Sequence, residues 1–303
     1  MTSFEAAYLA LHRSGELRKR AILAMQSLTD CDLCANRCLV DRLADPERAH
    51  CRTGEQAVVC SVGPHHGEER PLSGRRGSGT IFFGCCNLGC VFCQNWQISH
   101  QGEGREMGCN ALAEQMLSLQ AAGCHNINFV SPSHVIPQIL SALALAAEHG
   151  LKLPLVYNSG GYDSAEGLAL MDGVIDIYMP DMKFADSQVA APYLGIGDYA
   201  EVNRVAVKEM HRQVGDLALD GANVARRGLL VRHLILPQDL AGTEQTLTFI
   251  AEQVSRDTYL ILMDQYRPCF HAHRFPGLDR RPKRGELQKA RAIAKRLGLH
   301  RLD

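Results

Sequence analysis

Two kinds of apolar run alternate along the chain from residue 79 to residue 297. Short runs rich in Val, Ile and Leu predict buried strands at 79–83, 126–130, 153–158, 174–179, 229–236 and 258–263. Segments with apolar residues three or four apart predict helices at 111–122, 135–148, 165–171, 199–213, 244–254 and 285–297. Pro137 suits the first turn of its helix, where an N–H has no intrahelical partner to lose. Strands alternating with helices imply an α/β protein with a parallel sheet covered by helices. Six such units are fewer than the eight of a closed barrel, so a partial barrel and an open doubly wound sheet both fit. In either, ligands sit at the C-terminal ends of the strands.

Upstream the pattern changes. Residues 3–27 read as a helix with Ser3 as N-cap and Gly15 as a weak point. Residues 28–78 hold five Cys, few long apolar runs and many turn residues, which suggests a small segment organised by a ligand. The chain is therefore expected to divide into a helical, Cys-rich N-terminal extension (1–75) and a core domain (76–303). With 46% hydrophobic and 21% charged residues, the composition is that of an ordinary globular protein. A formal net charge of -1 gives no general attraction for nucleic acid or an anionic membrane. The longest apolar stretches, such as 139–147, are too short to span a bilayer. Residues 1–20 do not read as a signal peptide, so a reducing, cytoplasmic location is expected. There, 12 Cys point to metal or redox chemistry rather than disulfides.

The first core strand runs into Gly84-Cys85-Cys86-Asn87-Leu88-Gly89-Cys90-Val91-Phe92-Cys93. Cys86, Cys90 and Cys93 have the spacing C-x3-C-x2-C, and Cys85 falls outside it. Thiolates suit iron–sulfur clusters and zinc. A four-iron cluster normally takes four Cys, so three leave one iron open to a substrate or cofactor. Residues 79–99 resemble the radical S-adenosylmethionine (SAM) enzymes, whose hallmark is C-x3-C-x-aromatic-C, with Phe92 in the aromatic slot. The stretch looks more specifically like the branch related to pyruvate formate-lyase activating enzymes. The resemblance implies a partial (β/α)6 barrel of radical SAM type and a [4Fe-4S] cluster on Cys86, Cys90 and Cys93. It also implies SAM on the open iron, an electron donor such as flavodoxin or ferredoxin, and hydrogen abstraction by a 5'-deoxyadenosyl radical.

It implies SAM contacts at other strand ends as well. Ser131 and Ser133 stand where relatives carry a Gly-Gly-Glu segment for the SAM amino group, and no carboxylate is present at 131–134. Hydroxyls and backbone carbonyls are left for that contact, and Ser133 also reads as a helix N-cap. Asn158 and Ser159 precede Gly160-Gly161, a pair suited to close backbone approach to a ligand. Asp181 and Lys183 share one side of an extended chain and resemble an Asp-x-Lys element that contacts SAM. Arg232, charged within an apolar strand, needs a partner and resembles a strand Arg that meets the SAM carboxylate. His233 faces the other way and reads as structural. Asn95, just after Cys93, completes the candidate cofactor contacts. Cys269, His271 and His273 read as packing and surface.

In the N-terminal segment, Cys31, Cys34, Cys38 and Cys51 offer four soft ligands for zinc or a second iron–sulfur cluster, with Cys60 able to replace one. The reading is a radical SAM oxidoreductase, and activation of a glycyl-radical enzyme is the reaction of the family's namesake. Radical SAM modification of another small molecule or macromolecule is one alternative. A non-catalytic iron–sulfur or zinc protein is another, although an electron carrier has no need of Asp181, Lys183 and Arg232. The basic stretch from Arg274 to Arg284 reads as a solvated face rather than a nucleic-acid site.

Overall fold

The computed structural model describes residues 4–303; Ser3, expected as an N-cap, lies outside the described residues. Among the described residues the strands are β1 (Ala57–His65), β2 (Ser78–Phe83), β3 (Arg105–Met107), β4 (Ile127–Val130), β5 (Leu155–Ser159), β6 (Ile177–Met182), β7 (Ala218–Leu219), β8 (Ala225–Leu234) and β9 (Tyr259–Met263). The helices are α1 (Tyr8–Arg13), α2 (Glu16–Gln26), α3 (Arg70–Ser73), α4 (Trp96–Ser99), α5 (Cys109–Ala121), α6 (Ile136–Glu148), α7 (Ala165–Met171), α8 (Ser187–Leu194), α9 (Tyr199–Val214), α10 (Thr243–Phe249) and α11 (Arg284–Arg296). The six strands expected from the apolar runs are β2, β4, β5, β6, β8 and β9. They pair in that order, each parallel to the next. β1 is antiparallel to β2 and carries β3 on its outer edge, and β7 is antiparallel to β8. The result is an α/β fold with a mostly parallel sheet.

Strand alternation divides the core. Leu155, Tyr157, Tyr178, Leu229, Val231, Leu260 and Leu262 face the helical layer and join its buried residues, including Ile139, Leu143 and Val207. Val156, Ile177, Met179, Leu230 and Ile261 face the other way and pack on Leu72 of α3. That second face is the one that matters for chemistry. Two residues beyond Val156 comes Asn158, beyond Met179 comes Asp181, and beyond Leu230 comes Arg232. An apolar floor, closed by Leu72, thus gives way to polar side chains toward the C-terminal strand ends.

Several elements differ from expectation. Gly15, at φ +76°, divides the expected N-terminal helix into α1 and α2. Both pack into the main core through Tyr8, Leu17, Ala21 and Ala24. β1 lies in a segment expected to be irregular, and α8 forms despite Pro192. The N-cap of α6 is Val135, with no side-chain cap bond, so Ser133 does not cap it. Among the described residues no helix is long and apolar enough to cross a membrane.

Candidate active site

β2 ends at Phe83, and the chain then leaves regular structure through Cys85, whose φ of +59° turns the loop back over the sheet. A separate apolar cluster anchors that loop: Leu88, Cys90 and Phe92 pack with Tyr162, Phe184, Tyr199 and Tyr266. The Phe92 ring lies edge-on to Phe184 and Tyr266, with centroids 6.1 and 6.0 Å away. Backbone ties fix the rest. His134 Nε2 meets the Gly84 carbonyl at 2.8 Å, His100 Nε2 meets the Cys90 carbonyl at 3.0 Å, and Asn87 Nδ2 donates to the Tyr162 carbonyl at 2.7 Å. Burial drives the His134 pKa down to about 3, so the ring is neutral.

Cys86, Cys90 and Cys93 line one cavity together with Asn95, Ser131, Asn158, Ser159, Asp181, Lys183 and Arg232. Every pocket candidate named from the sequence except Ser133 is therefore brought together. Ser133 is buried beside Tyr157 and Asp163 and does not line the cavity. Burial pushes the Cys86 thiol up to about 11, and raises Cys90 as well. Bare thiolates are disfavoured there, whereas metal coordination removes the proton outright. Polar neighbours favour the thiolate form. The Lys183 ammonium acts on Cys86 and Cys90, the Ser131 hydroxyl faces Cys86, and Ser99 Oγ donates to Cys93 Sγ at 3.1 Å. Among the described residues no three His, Cys, Asp or Glu side chains are grouped to hold a single metal ion. The three thiols instead line one cavity wall, and an iron–sulfur cluster takes its cysteines on different irons.

Below the loop lies an ion network. Arg232 and Asp181 are cross-strand partners. Arg232 Nε donates to Asp181 Oδ1 at 2.8 Å and Nη2 donates to Asn158 Oδ1 at 2.7 Å. Nη1 is 3.9 Å from Glu68 and 4.0 Å from Glu69, both carried by the segment leading into α3. Lys183 Nζ donates to the other Asp181 oxygen at 2.5 Å. Burial alone would raise the Asp181 pKa, but Arg232 and Lys183 outweigh it and hold the carboxyl below its ordinary value. Burial opposes the charged form of Lys183 too, and Asp181 more than offsets it. Arg232 is thus already matched by protein carboxylates, while Lys183 has one partner and sits beside the cysteines.

Sequence reasoning missed the residues that hold the strand ends. Tyr199 Oη accepts from the Lys183 amide at 3.0 Å and lies 2.9 Å from the Gly160 carbonyl. Asn203 Nδ2 donates to the carbonyls of Gly161 and Asp181, each at 2.9 Å. Tyr199 and Asn203 stand four apart on α9, a spacing that puts two polar groups on its buried face. They also explain the glycine pair. A Cβ on Gly161, at φ +77°, would lie 2.1 Å from Asn203 Nδ2, and one on Gly160 would lie 2.5 Å from Leu88. The close approach is to α9 and to the cysteine loop, and Gly160 also lines the cavity. Glu68, Glu69, Ser99, Gln94 and Gln265 were not singled out either; the last three line the cavity. His233, on the opposite face, meets the Met182 carbonyl and the Thr243 hydroxyl, as its alternation implies.

No family model matches the chain. The uncharacterised protein MJ0674 of Methanocaldococcus jannaschii is 30% identical over 284 residues, covering 91% of this chain and 78% of that protein. A solved structure of TYW1 with a lysine–pyruvate adduct bound superposes with a TM-score of 0.43 at 12% identity, covering 72% of each chain.

Proposed function

The chain belongs to the family of protein MJ0674 of Methanocaldococcus jannaschii, and we propose that it is a radical SAM enzyme. One observation carries the reading: the three cysteines of a C-x3-C-x2-C loop share a cavity with Asn158, Asp181, Lys183 and Arg232. The cavity lies at the C-terminal ends of parallel strands, where folds of this class bind their ligands. In this reading the six parallel strands form the partial barrel of that superfamily. Residues 1–75 are then its extension and residues 76–303 its core domain.

Cys86, Cys90 and Cys93 are the residues that would hold a [4Fe-4S] cluster with one iron left for SAM. When bound, the two supply reductive cleavage of SAM to a 5'-deoxyadenosyl radical that removes a substrate hydrogen atom. The chain's own groups do the rest. Lys183 stabilises the thiolates of Cys86 and Cys90 and is the cation for a ligand carboxylate, since Arg232 is matched by Asp181 and the two glutamates. Asp181 accepts from a ligand hydroxyl or ammonium. The backbone at Ser131, held at φ +59°, takes the place of a Gly-Gly-Glu segment. Phe92, Phe184 and Tyr266 exclude water from the cysteine wall.

The likeness of residues 79–99 to pyruvate formate-lyase activating enzymes makes a glycyl-radical enzyme the first substrate to test, with flavodoxin or ferredoxin as electron donor. The test of the class is direct. Anaerobically reconstituted and reduced protein should convert SAM to 5'-deoxyadenosine, and the Cys86→Ser, Cys90→Ser, Cys93→Ser triple variant should not. Cleavage that survives in the triple variant would overturn the assignment.

A further inference from the structure

The N-terminal cysteines have surroundings that free thiols do not need. Cys31, Cys34 and Cys51 are buried, and Cys38 is half-buried. Three of the four sulfurs accept a hydrogen bond from nitrogen. Arg42 Nη1 donates to Cys31 at 3.4 Å, Asn36 Nδ2 to Cys34 at 3.7 Å and the His50 amide to Cys38 at 3.4 Å. A thiol is a weak acceptor, and three such sulfurs in one short segment suit thiolates.

Arg42 supplies the second, independent observation. Its side chain is 1% exposed. Nε donates to the Thr53 carbonyl at 2.6 Å, and Nη2 has no hydrogen-bond partner among the described residues. No described carboxylate forms an ion pair with it. Guanidinium stays protonated in proteins, and a buried charge requires a counter-charge. The negative charge within reach is that of the sulfurs, once a metal has replaced their protons.

Among the described residues these sulfurs are not grouped to hold a single metal ion, and neither are those of the cavity cysteines. Zinc requires all four sulfurs about 2.3 Å from one ion. An iron–sulfur cluster takes its cysteines on different irons. Cys60 is not needed: it lies on β1 beside Glu103. We propose that Cys31, Cys34, Cys38 and Cys51 hold a second iron–sulfur cluster, with Arg42 as its buried counter-charge. The site is bonded to the catalytic loop, because Asn36 Nδ2 also donates to the Asn87 carbonyl at 2.7 Å, next to Cys86.

The proposal does not rest on radical SAM activity, and its test does not measure it. The full-length Cys86→Ser, Cys90→Ser, Cys93→Ser variant, reconstituted anaerobically with iron and sulfide, should retain about two to four irons with matching sulfide and visible charge-transfer absorption. Adding Arg42→Met to that variant should lower the iron retained. Stoichiometric zinc in place of iron, or no metal in protein that stays folded, would overturn the proposal. Should the triple variant fail to fold, metal analysis of the unvaried chain decides. More than four irons per chain, falling to about four in Cys34→Ser, Cys51→Ser, supports the second cluster. Four irons in the unvaried chain that persist in Cys34→Ser, Cys51→Ser would refute it.

Discussion

Gly161→Ala tests how tightly the candidate site is built. Its φ of +77° is a left-handed conformation that a side chain disfavours by about 1–2 kcal/mol. The new Cβ would also stand 2.1 Å from Asn203 Nδ2 and 2.2 Å from the Asp181 carbonyl oxygen. Something must move, and overpacking of this kind costs about 1–3 kcal/mol more. The sum is about 2–5 kcal/mol. Gly195 provides the control: its φ is +74°, and a Cβ there meets nothing within 4 Å. Gly195→Ala should therefore lose only the conformational part, about 1–2 kcal/mol. Denaturant unfolding of both variants measures the difference directly. Because the overlap falls on Asp181 and Asn203, Gly161→Ala should also weaken SAM binding, while Gly195→Ala should leave it unchanged. Equal destabilisation of the two variants would refute the argument that this glycine is required by packing.

Asp181→Asn leaves two buried cations, Arg232 and Lys183, short of their shared carboxylate, and should destabilise the fold by about 3–5 kcal/mol in equilibrium unfolding. In the parent chain, Asp181 has a lowered folded pKa, so its contribution stands above the ordinary carboxylate value and is lost as pH falls through the lowered one. His134 and His233, whose pKa values burial drives down to about 3 and about 4, act at higher pH. Below the ordinary imidazole value of 6.5 the unfolded chain takes up protons that the folded chain refuses, so stability falls as pH drops from there toward 4. At pH 5 the loss is roughly 2 kcal/mol per histidine, and His233→Gln should remove about half of it in urea titrations at pH 7 and pH 5. Tyr199→Phe leaves the buried Lys183 amide without its acceptor, and should cost about 1–3 kcal/mol in equilibrium unfolding.

The parallel strands were legible because each is a short run of Val, Ile or Leu bounded by turn residues, and buried parallel strands have no other pattern. The same alternation put Asp181 and Lys183 on one side, and the structure places Asn158 and Arg232 beside them. β1 was passed over because Cys60, Gly63 and Pro64 interrupt Val58, Val59 and Val62, and its bulge between Val59 and Ser61 breaks the period of two. α8 was hidden by Pro192, which a short helix tolerates. Glu68 and Glu69 were not readable at all. They meet Arg232 only because α3 folds under the sheet, a long-range contact that local pattern does not encode. Ser133 read both as a cap and as a ligand contact, but the N-cap of α6 is Val135 and the serine lies beside Tyr157 and Asp163.

Leu72 gives the cavity a blind end. With Val156, Ile177, Met179, Leu230 and Ile261 sealed around it, a small molecule has no way through the sheet. The exposed residues Gln94, Asn95 and Gln265 line the cavity as well. A closed end is thus built into the floor of the sheet rather than into any moving part.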